Sequence, residues 1–313
     1  MQEPVSTKLK LKTALLLFAT IIFAWGINWT VTKVLVSHVT PLWTAAIRTS
    51  IAAGALLGLL ACLGKLIVPR RGDLPVVAAI GVCHMVAFSA LMTAGLKYVP
   101  AGRAIVLGYT TPLWVAPGAY FLLRETMPKV RVWGVLIGLA GLAVMFNPFT
   151  FDWSDGRAIF GNVLLLLSAL AWSVSILYVR AHKWISTPFQ LVFWETLLAT
   201  AILLALAFWF EGPPHIVWTR QIVLGFGYSG LVGTALGFWA MAVVNRSLPA
   251  TVTSLGILAT PVVGLASSAV FLGERIDLPL ILATTIILAG IALGTVPWSS
   301  WRRARGVPTR LGS

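Results

Sequence analysis

The sequence predicts an all-α membrane protein of ten transmembrane helices, built as a 5+5 inverted-topology repeat. Three observations carry this reading. The first is composition: of 313 residues 58% are hydrophobic and 10% charged, with a mean hydropathy of +0.92. Soluble chains carry roughly 25% charged residues, so lipid rather than water is the solvent for most of this surface. The second is an internal repeat. Pro100-Ala101, Thr111-Pro112, Leu123 and Glu125 recur as Pro249-Ala250, Thr260-Pro261, Leu272 and Glu274, every pair 149 residues apart. Earlier in each half the offset is 147, which matches Ala24-Trp25 with Ala171-Trp172 and Thr40-Pro41 with Thr187-Pro188. The third is punctuation. Pro41, Pro75, Pro100, Pro128, Pro188, Pro249 and Pro279 sit at or near predicted helix starts, where the missing N–H of proline costs least.

The predicted spans are 13–34, 43–63, 75–95, 101–122, 130–147, 159–179, 188–210, 221–244, 250–272 and 279–297. At about 20 residues per span, ten spans with short links use nearly the whole length and leave no room for a separate soluble catalytic domain. Lys8, Lys10 and Lys12 precede the first apolar run as in a signal peptide. That run continues past Trp25 to about Val36 without a small-residue cleavage site, so it reads as a retained helix. The chain divides into a first repeat (1–149), a second repeat (150–297) and a basic tail (298–313). Five spans per repeat place the halves in opposite orientations, the layout of many secondary transporters, with the solute path between the halves.

Charge placement orients the spans. With the N-terminus inside, sixteen Lys and Arg fall on inner segments and six on outer ones (Lys33, Lys97, Arg103, Arg157, Arg220 and Arg275), Arg48 within a span completing the 23. This bias predicts that both termini are cytoplasmic; the membrane is expected to be a bacterial inner one. The net charge of +14 is a topology signal and not a nucleic-acid footprint, because the basic residues form short runs between apolar stretches. Cys62 and Cys83 lie within spans and imply no disulfide framework. Trp153, Trp218, Trp298 and Trp301 lie near span boundaries, where tryptophan anchors helices at the interface.

Few residues within the spans can carry chemistry. Arg48 and Glu195 are repeat counterparts at the 147 offset; they read either as helix anchors or an ion pair, or as gating or proton-coupling groups. His84 lies in the middle of the third span and reads as a hydrogen-bonding core histidine or a cavity residue. No His, Cys, Asp or Glu cluster has metal-ligand spacing, and no hydroxyl, base and acid form a nucleophilic set. No cofactor is expected, and the chain is not predicted to be an enzyme. Trp25 and Asn28, three residues apart on one helix face, recur as Trp172 and Ser175. A large aromatic beside a small polar group on each half suits an apolar or aromatic solute with one polar end, although lipid-facing or packing tryptophans give the same pattern. Tyr109, Phe88, Tyr228 and Trp239 are weaker cavity candidates. Pro112 and Pro261 are counterparts that each remove a hydrogen bond to the carbonyl four residues earlier, at Gly108 and Ile257, and read as paired gating hinges or static kinks. GxxxG spacings at Gly54/Gly58, Gly134/Gly138, Gly233/Gly237 and Gly290/Gly294 read as close helix contacts, inside the fold or between protomers of a homo-oligomer.

These motifs resemble the drug/metabolite transporter superfamily, specifically its ten-helix EamA-type members, over nearly the whole chain. The marks are Ala24-Trp25-Gly26-Ile27-Asn28, then Pro41 followed by Arg48, then two paired stretches. One runs from Tyr109-Thr110-Thr111-Pro112-Leu113-Trp114 through Leu123-Arg124-Glu125, the other from Thr260-Pro261 through Phe271-Leu272-Gly273-Glu274-Arg275. Leu123-Arg124-Glu125 departs from the usual Leu-Gly-Glu, which puts the local turn in question. The resemblance implies a central cavity between helices 1, 3, 4, 6, 8 and 9, alternating access, and a small-molecule substrate such as an amino acid, another metabolite, a drug or a nucleotide sugar. The tryptophan-rich wall tilts the expectation toward YddG-like export of aromatic or large apolar amino acids. Movement is expected down the solute gradient or with weak proton linkage. An exporter of drugs or cationic metabolites and an intramembrane lipid-modifying enzyme are the alternatives. The first requires a cavity carboxylate, for which Glu195 is the candidate; the second requires a polar catalytic cluster, which the sequence lacks.

Overall fold

The computed structural model describes residues 9–147 and 151–295; the predicted basic tail and Trp298 and Trp301 lie outside the described residues. Ten long helical segments cross the fold: α1 (Leu11–His38), α2 (Pro41–Cys62), α3 (Arg71–Tyr98), α4 (Ala101–Leu123), α5 (Lys129–Met145), α6 (Gly156–Ala181), α7 (Pro188–Glu211), α8 (220–247), α9 (250–272) and α10 (Leu278–Thr295). Nine of them are long and apolar enough to cross a membrane, with at least 18 residues each, and α5 is one residue shorter at 17. Short links make successive helices run antiparallel. The odd-numbered helices begin on the face where α1 begins, called here the near face, and end on the far face.

Local chemistry sets the ends. Pro41 and Pro188 open α2 and α7, Asp155 caps α6 by accepting from the N–H groups of Arg157 and Ala158, and Thr219 caps α8 through Ile222 N–H. The turn closing α9 places Gly273 at φ 66°, and its counterpart Arg124 closes α4 at φ 54°. The Leu-Arg-Glu departure therefore leaves the left-handed turn intact, at the steric cost of a Cβ where glycine has none.

Two features are not legible in the simple span pattern. Ile80–Phe88 in α3 and Tyr228–Leu236 in α8 are π-helical, each wider than an α-turn; the two lie 148 residues apart, between the 147 and 149 offsets. α4 is interrupted at Tyr109–Thr110 and α9 at Ile257–Leu258. Pro112 and Pro261 consequently stand in the first turn of the restarted helices, not as kinks inside continuous ones. The carbonyls expected to be freed are satisfied: Gly108 accepts from the Thr111 hydroxyl at 2.9 Å and Ile257 from Thr260 N–H at 3.0 Å.

The glycine pairs divide by role. Gly134/Gly138 on α5 and Gly290/Gly294 on α10 face each other backbone to backbone: a Cβ on Gly134 would meet Gly294 N at 2.6 Å and Gly290 O at 2.7 Å. Gly233 and Gly237 on α8 instead make room for Asn28 and Trp25 of α1. Gly54 and Gly58 have open space beside them.

Candidate functional site

A chamber opens between the helices, lined from α1 by Trp25, Asn28 and Trp29, from α2 by Arg48 and Thr49, and from α3 by His84, Met85, Phe88, Ser89 and Met92. Tyr109 of α4, Trp172 of α6, Thr196 of α7 and Gly233, Thr234 and Phe238 of α8 complete it. It holds about 810 Å³ of empty space, its solvent-open part included.

The aromatic wall is continuous. His84 stacks on Trp172 with centroids 5.0 Å apart and planes 3° from parallel, and Phe88 lies 5.1 Å from the same indole. Tyr109 meets Trp172 edge-on at 6.2 Å, and Trp29 approaches Phe88 at 6.4 Å and Tyr109 at 6.5 Å. Trp25 is held by its indole N–H, which donates to the Gly233 carbonyl at 3.0 Å in the π-helical segment of α8. Trp29 lies over Gly108, just before the break in α4, at a distance where no Cβ fits.

Of the residues singled out from sequence, Trp25, Asn28, His84, Phe88, Tyr109 and Trp172 meet at this chamber, and Arg48 joins them. Ser175 is buried but lies outside the lining, because α6 presents only Trp172 where α1 presents three residues. Trp239, like Trp25, packs against the buried cluster of α1 and α8 that includes Phe18, Ile21 and Val244; the chamber position on α8 belongs to Phe238, one residue and about 100° earlier. Tyr228 donates to the Ala24 carbonyl at 3.0 Å. Pro112 and Pro261 are beside the breaks and not in the lining. Arg48 and Glu195 form no ion pair within 4.0 Å: Arg48 Nη2 donates to Ser89 Oγ at 2.8 Å, and Glu195 is buried on α7 with Oε1 unpartnered. The ion pair considered from the repeat is therefore absent; counterpart positions on α2 and α7 do not bring the charged ends together.

Trp29, Met85, Ser89, Met92, Thr49, Thr196, Thr234 and Phe238 were not singled out. Two periodic signals point to some of them. Trp29 is four residues after Trp25, and His84, Met85, Phe88, Ser89 and Met92 form one helical stripe.

Two segments, residues 12–147 and 159–296, match the model of the EamA-like transporter family. The chain belongs to the EamA-like transporter family. Its EamA-type relatives are transporters and not enzymes, and it is an integral membrane protein that acts on small molecules. It is 26% identical to "Uncharacterized transporter YoaV" of Bacillus subtilis (strain 168), over 88% of this chain and 94% of that one. It is 27% identical to a "Probable amino-acid metabolite efflux pump" of Salmonella typhimurium, over 91% of this chain and 95% of the other. A crystal structure of a protein 22% identical to it superposes with a TM-score of 0.63, covering 94% of this chain and 99% of that one. At that identity the likeness concerns the EamA fold alone.

Proposed function

We propose that this transporter exports amino acids, especially aromatic or large apolar ones, by alternating access across a bacterial inner membrane with both termini cytoplasmic. The observation that carries the reading is the aromatic wall formed by Trp25, Trp29, Phe88, Tyr109 and Trp172, set against the polar groups of Asn28, Ser89 and His84. Such a wall offers flat apolar contact to a side chain, while the polar groups meet the amino-acid end. Trp25, Trp172 and Tyr109 hold the apolar part; Asn28 and His84 meet the polar end. The helix breaks before Pro112 and Pro261 are the hinges, and the two repeats, 1–149 and 150–297, are the units whose rearrangement exposes the chamber alternately. The Salmonella relative's name is of the same kind. Export of a cationic drug is less well supported, because the lining contains no carboxylate.

The test is uptake into proteoliposomes of purified protein with labelled amino acids, cations and sugars, without an imposed proton gradient. Saturable uptake of phenylalanine or tryptophan is expected. Transport of cations or sugars in preference to these amino acids would overturn the proposal, and a strict requirement for a proton gradient would overturn the facilitated mechanism.

A further inference from the structure

We infer that Arg48 forms a carboxylate subsite in the chamber, which narrows the solute class to carboxylates carrying an aromatic or large apolar body. The inference rests on the chamber's being the solute site. The Arg48 side chain lies in the chamber wall and is 6% exposed. Its Nη2 is engaged by Ser89, its Nε has no partner, and among the described residues no carboxylate lies within 4.0 Å of it. A guanidinium carries five N–H donors in a planar fork that matches a carboxylate, and a buried charge without a counter-charge is costly. A purely structural arginine would be satisfied by its surroundings; this one is not, and the repeat counterpart Glu195 leaves its own Oε1 unpartnered instead of pairing with it. Two lining residues carry a buried polar atom without a partner: Arg48, a donor at Nε, and Asn28, an acceptor at Oδ1. A donor and an acceptor are the complement of a carboxylate and an ammonium group.

Binding of phenylalanine, 3-phenylpropionate and phenethylamine to the purified full chain, followed by intrinsic tryptophan fluorescence, tests this. Both carboxylates are expected to bind at least about tenfold more tightly than phenethylamine, in line with a charge-assisted pair. Arg48→Gln is expected to weaken both carboxylates by about 10- to 100-fold and to leave phenethylamine unchanged, with Arg48→Lys intermediate. Equal binding of phenethylamine and 3-phenylpropionate overturns the subsite, as does an Arg48→Gln protein that loses all three alike. If Arg48→Gln does not fold, the wild-type series and Arg48→Lys decide. Binding of 3-phenylpropionate with rejection of phenylalanine supports the subsite and overturns amino-acid export; binding of none overturns both.

An independent observation, the asymmetry between equivalent helix ends, points to a second device. On the far face, Glu274 at the end of α9 accepts from Ala101 N–H at 2.6 Å and Gly102 N–H at 2.9 Å, capping α4 across the repeat interface. Beside it Lys33 of α1 donates to the Leu96 and Val99 carbonyls at the end of α3. The repeat counterparts on the near face are Glu125, Ala250, Thr251 and Arg180, and among the described side chains there the two charged groups, Glu125 and Arg180, meet each other. Glu125 pairs with Arg180 at 2.7 Å and lies 3.9 Å from Arg131. The first half of α4 packs on α9, with Ile105 against Gly264. The neighbouring pair, α2 and α7, is clasped on both faces. Glu211 accepts from Leu42 and Trp43 N–H on the far face, and Asp73 of α3 accepts from Ile185 and Ser186 N–H, just before α7, on the near face.

The geometry points to two alternating latches. Glu274 closes the far face in this conformation, and Glu125 leaves Arg180 to cap the backbone N–H groups of Ala250 and Thr251 when the near face closes. Each carboxylate stabilises one state only, so removing either biases the equilibrium toward the other. Spin-label distances across the far face (Lys97 and Arg275) and near face (Arg124 and Asn245) in lipid discs test this. Glu274→Ala is expected to lengthen the far distance and shorten the near one, and Glu125→Ala to do the reverse, each shifting the ratio of states by about tenfold. Shifts in the same direction, or none, overturn the latches. Glu274→Gln and Glu125→Gln substitute where the alanine variants do not fold. No substrate is needed, so the outcome is separate from that of the transport assay.

Discussion

Gly134→Ala is the sharpest test of the scaffold, because the contact it disturbs is between backbones. The added Cβ would lie 2.6 Å from Gly294 N, 2.7 Å from Gly290 O and 2.8 Å from Gly294 Cα. Carbon contacts settle at about 3.5–4.0 Å, so α5 and α10 must separate by roughly 1 Å, and no side chain can rotate away to prevent it. Alanine gains about 1 kcal/mol of helix propensity over glycine, while forced overpacking costs about 1–3 kcal/mol, and separation also strips contacts along the rest of the α5/α10 seam. The net expectation is a loss of about 1–2 kcal/mol, or roughly 1.5–3 °C in apparent Tm for a chain of this size. Gly54→Ala provides the control, since a Cβ there meets nothing within 4 Å; its apparent Tm should be unchanged or slightly raised. The assay is thermal unfolding of the purified protein in detergent, followed by the loss of the monodisperse peak. If Gly134→Ala is as stable as Gly54→Ala, the argument from backbone contact is wrong.

Three further outcomes follow from the same geometry. Gly233→Ala would place a Cβ 2.5 Å from Asn28 Oδ1; displacing that amide should weaken solute binding by about 5- to 100-fold, the equivalent of about 1–3 kcal/mol of overpacking, measured by uptake at varied solute concentration. Trp25→Ala should reduce aromatic amino-acid transport at least about tenfold, as for a buried tryptophan anchor. Thr20→Ala, which removes only an exposed bond to the Leu16 carbonyl, should not, and equal losses would sink the role given to Trp25. Arg124→Gly should raise stability by about 1 kcal/mol by relieving the left-handed strain at φ 54°, visible as a higher apparent Tm.

The span pattern was legible because each segment is long and apolar and seven of the ten open at or near a proline, so the ten helices follow from hydropathy and punctuation. The paired breaks in α4 and α9 were visible only as prolines. A proline marks trouble in a helix, but it does not say whether the chain kinks at it or restarts just before it; the turn at Tyr109–Thr110 shows that the helix restarts. Both π-helical segments were hidden because their apolar sequences read equally well as α-helix. Their presence changes which residues face inward, and Phe238 rather than Trp239 lines the chamber. Arg48 was identified as an unusual charge, but one sequence cannot show that its repeat counterpart fails to neutralise it.

The repeat explains the scaffold better than it explains the chamber. Trp25 and Trp172 are counterparts and both line the chamber, as the inverted arrangement suggests. Elsewhere the equivalence lapses: Trp29 corresponds to Ile176, Arg48 to Glu195 and Tyr109 to Leu258, and none of those second-half residues lines it. Most of the wall comes from the first half, while α8 supplies Gly233, Thr234 and Phe238. A carrier that opens to both faces benefits from halves able to exchange conformations, so breaks, glycine contacts and terminal carboxylates recur in both. A small solute with a polar end and an apolar body has no such two-fold symmetry, and side chains matched to it must differ between the halves. The observed division, with equivalent helix ends and non-equivalent chamber side chains, follows from those two demands acting on one duplicated chain.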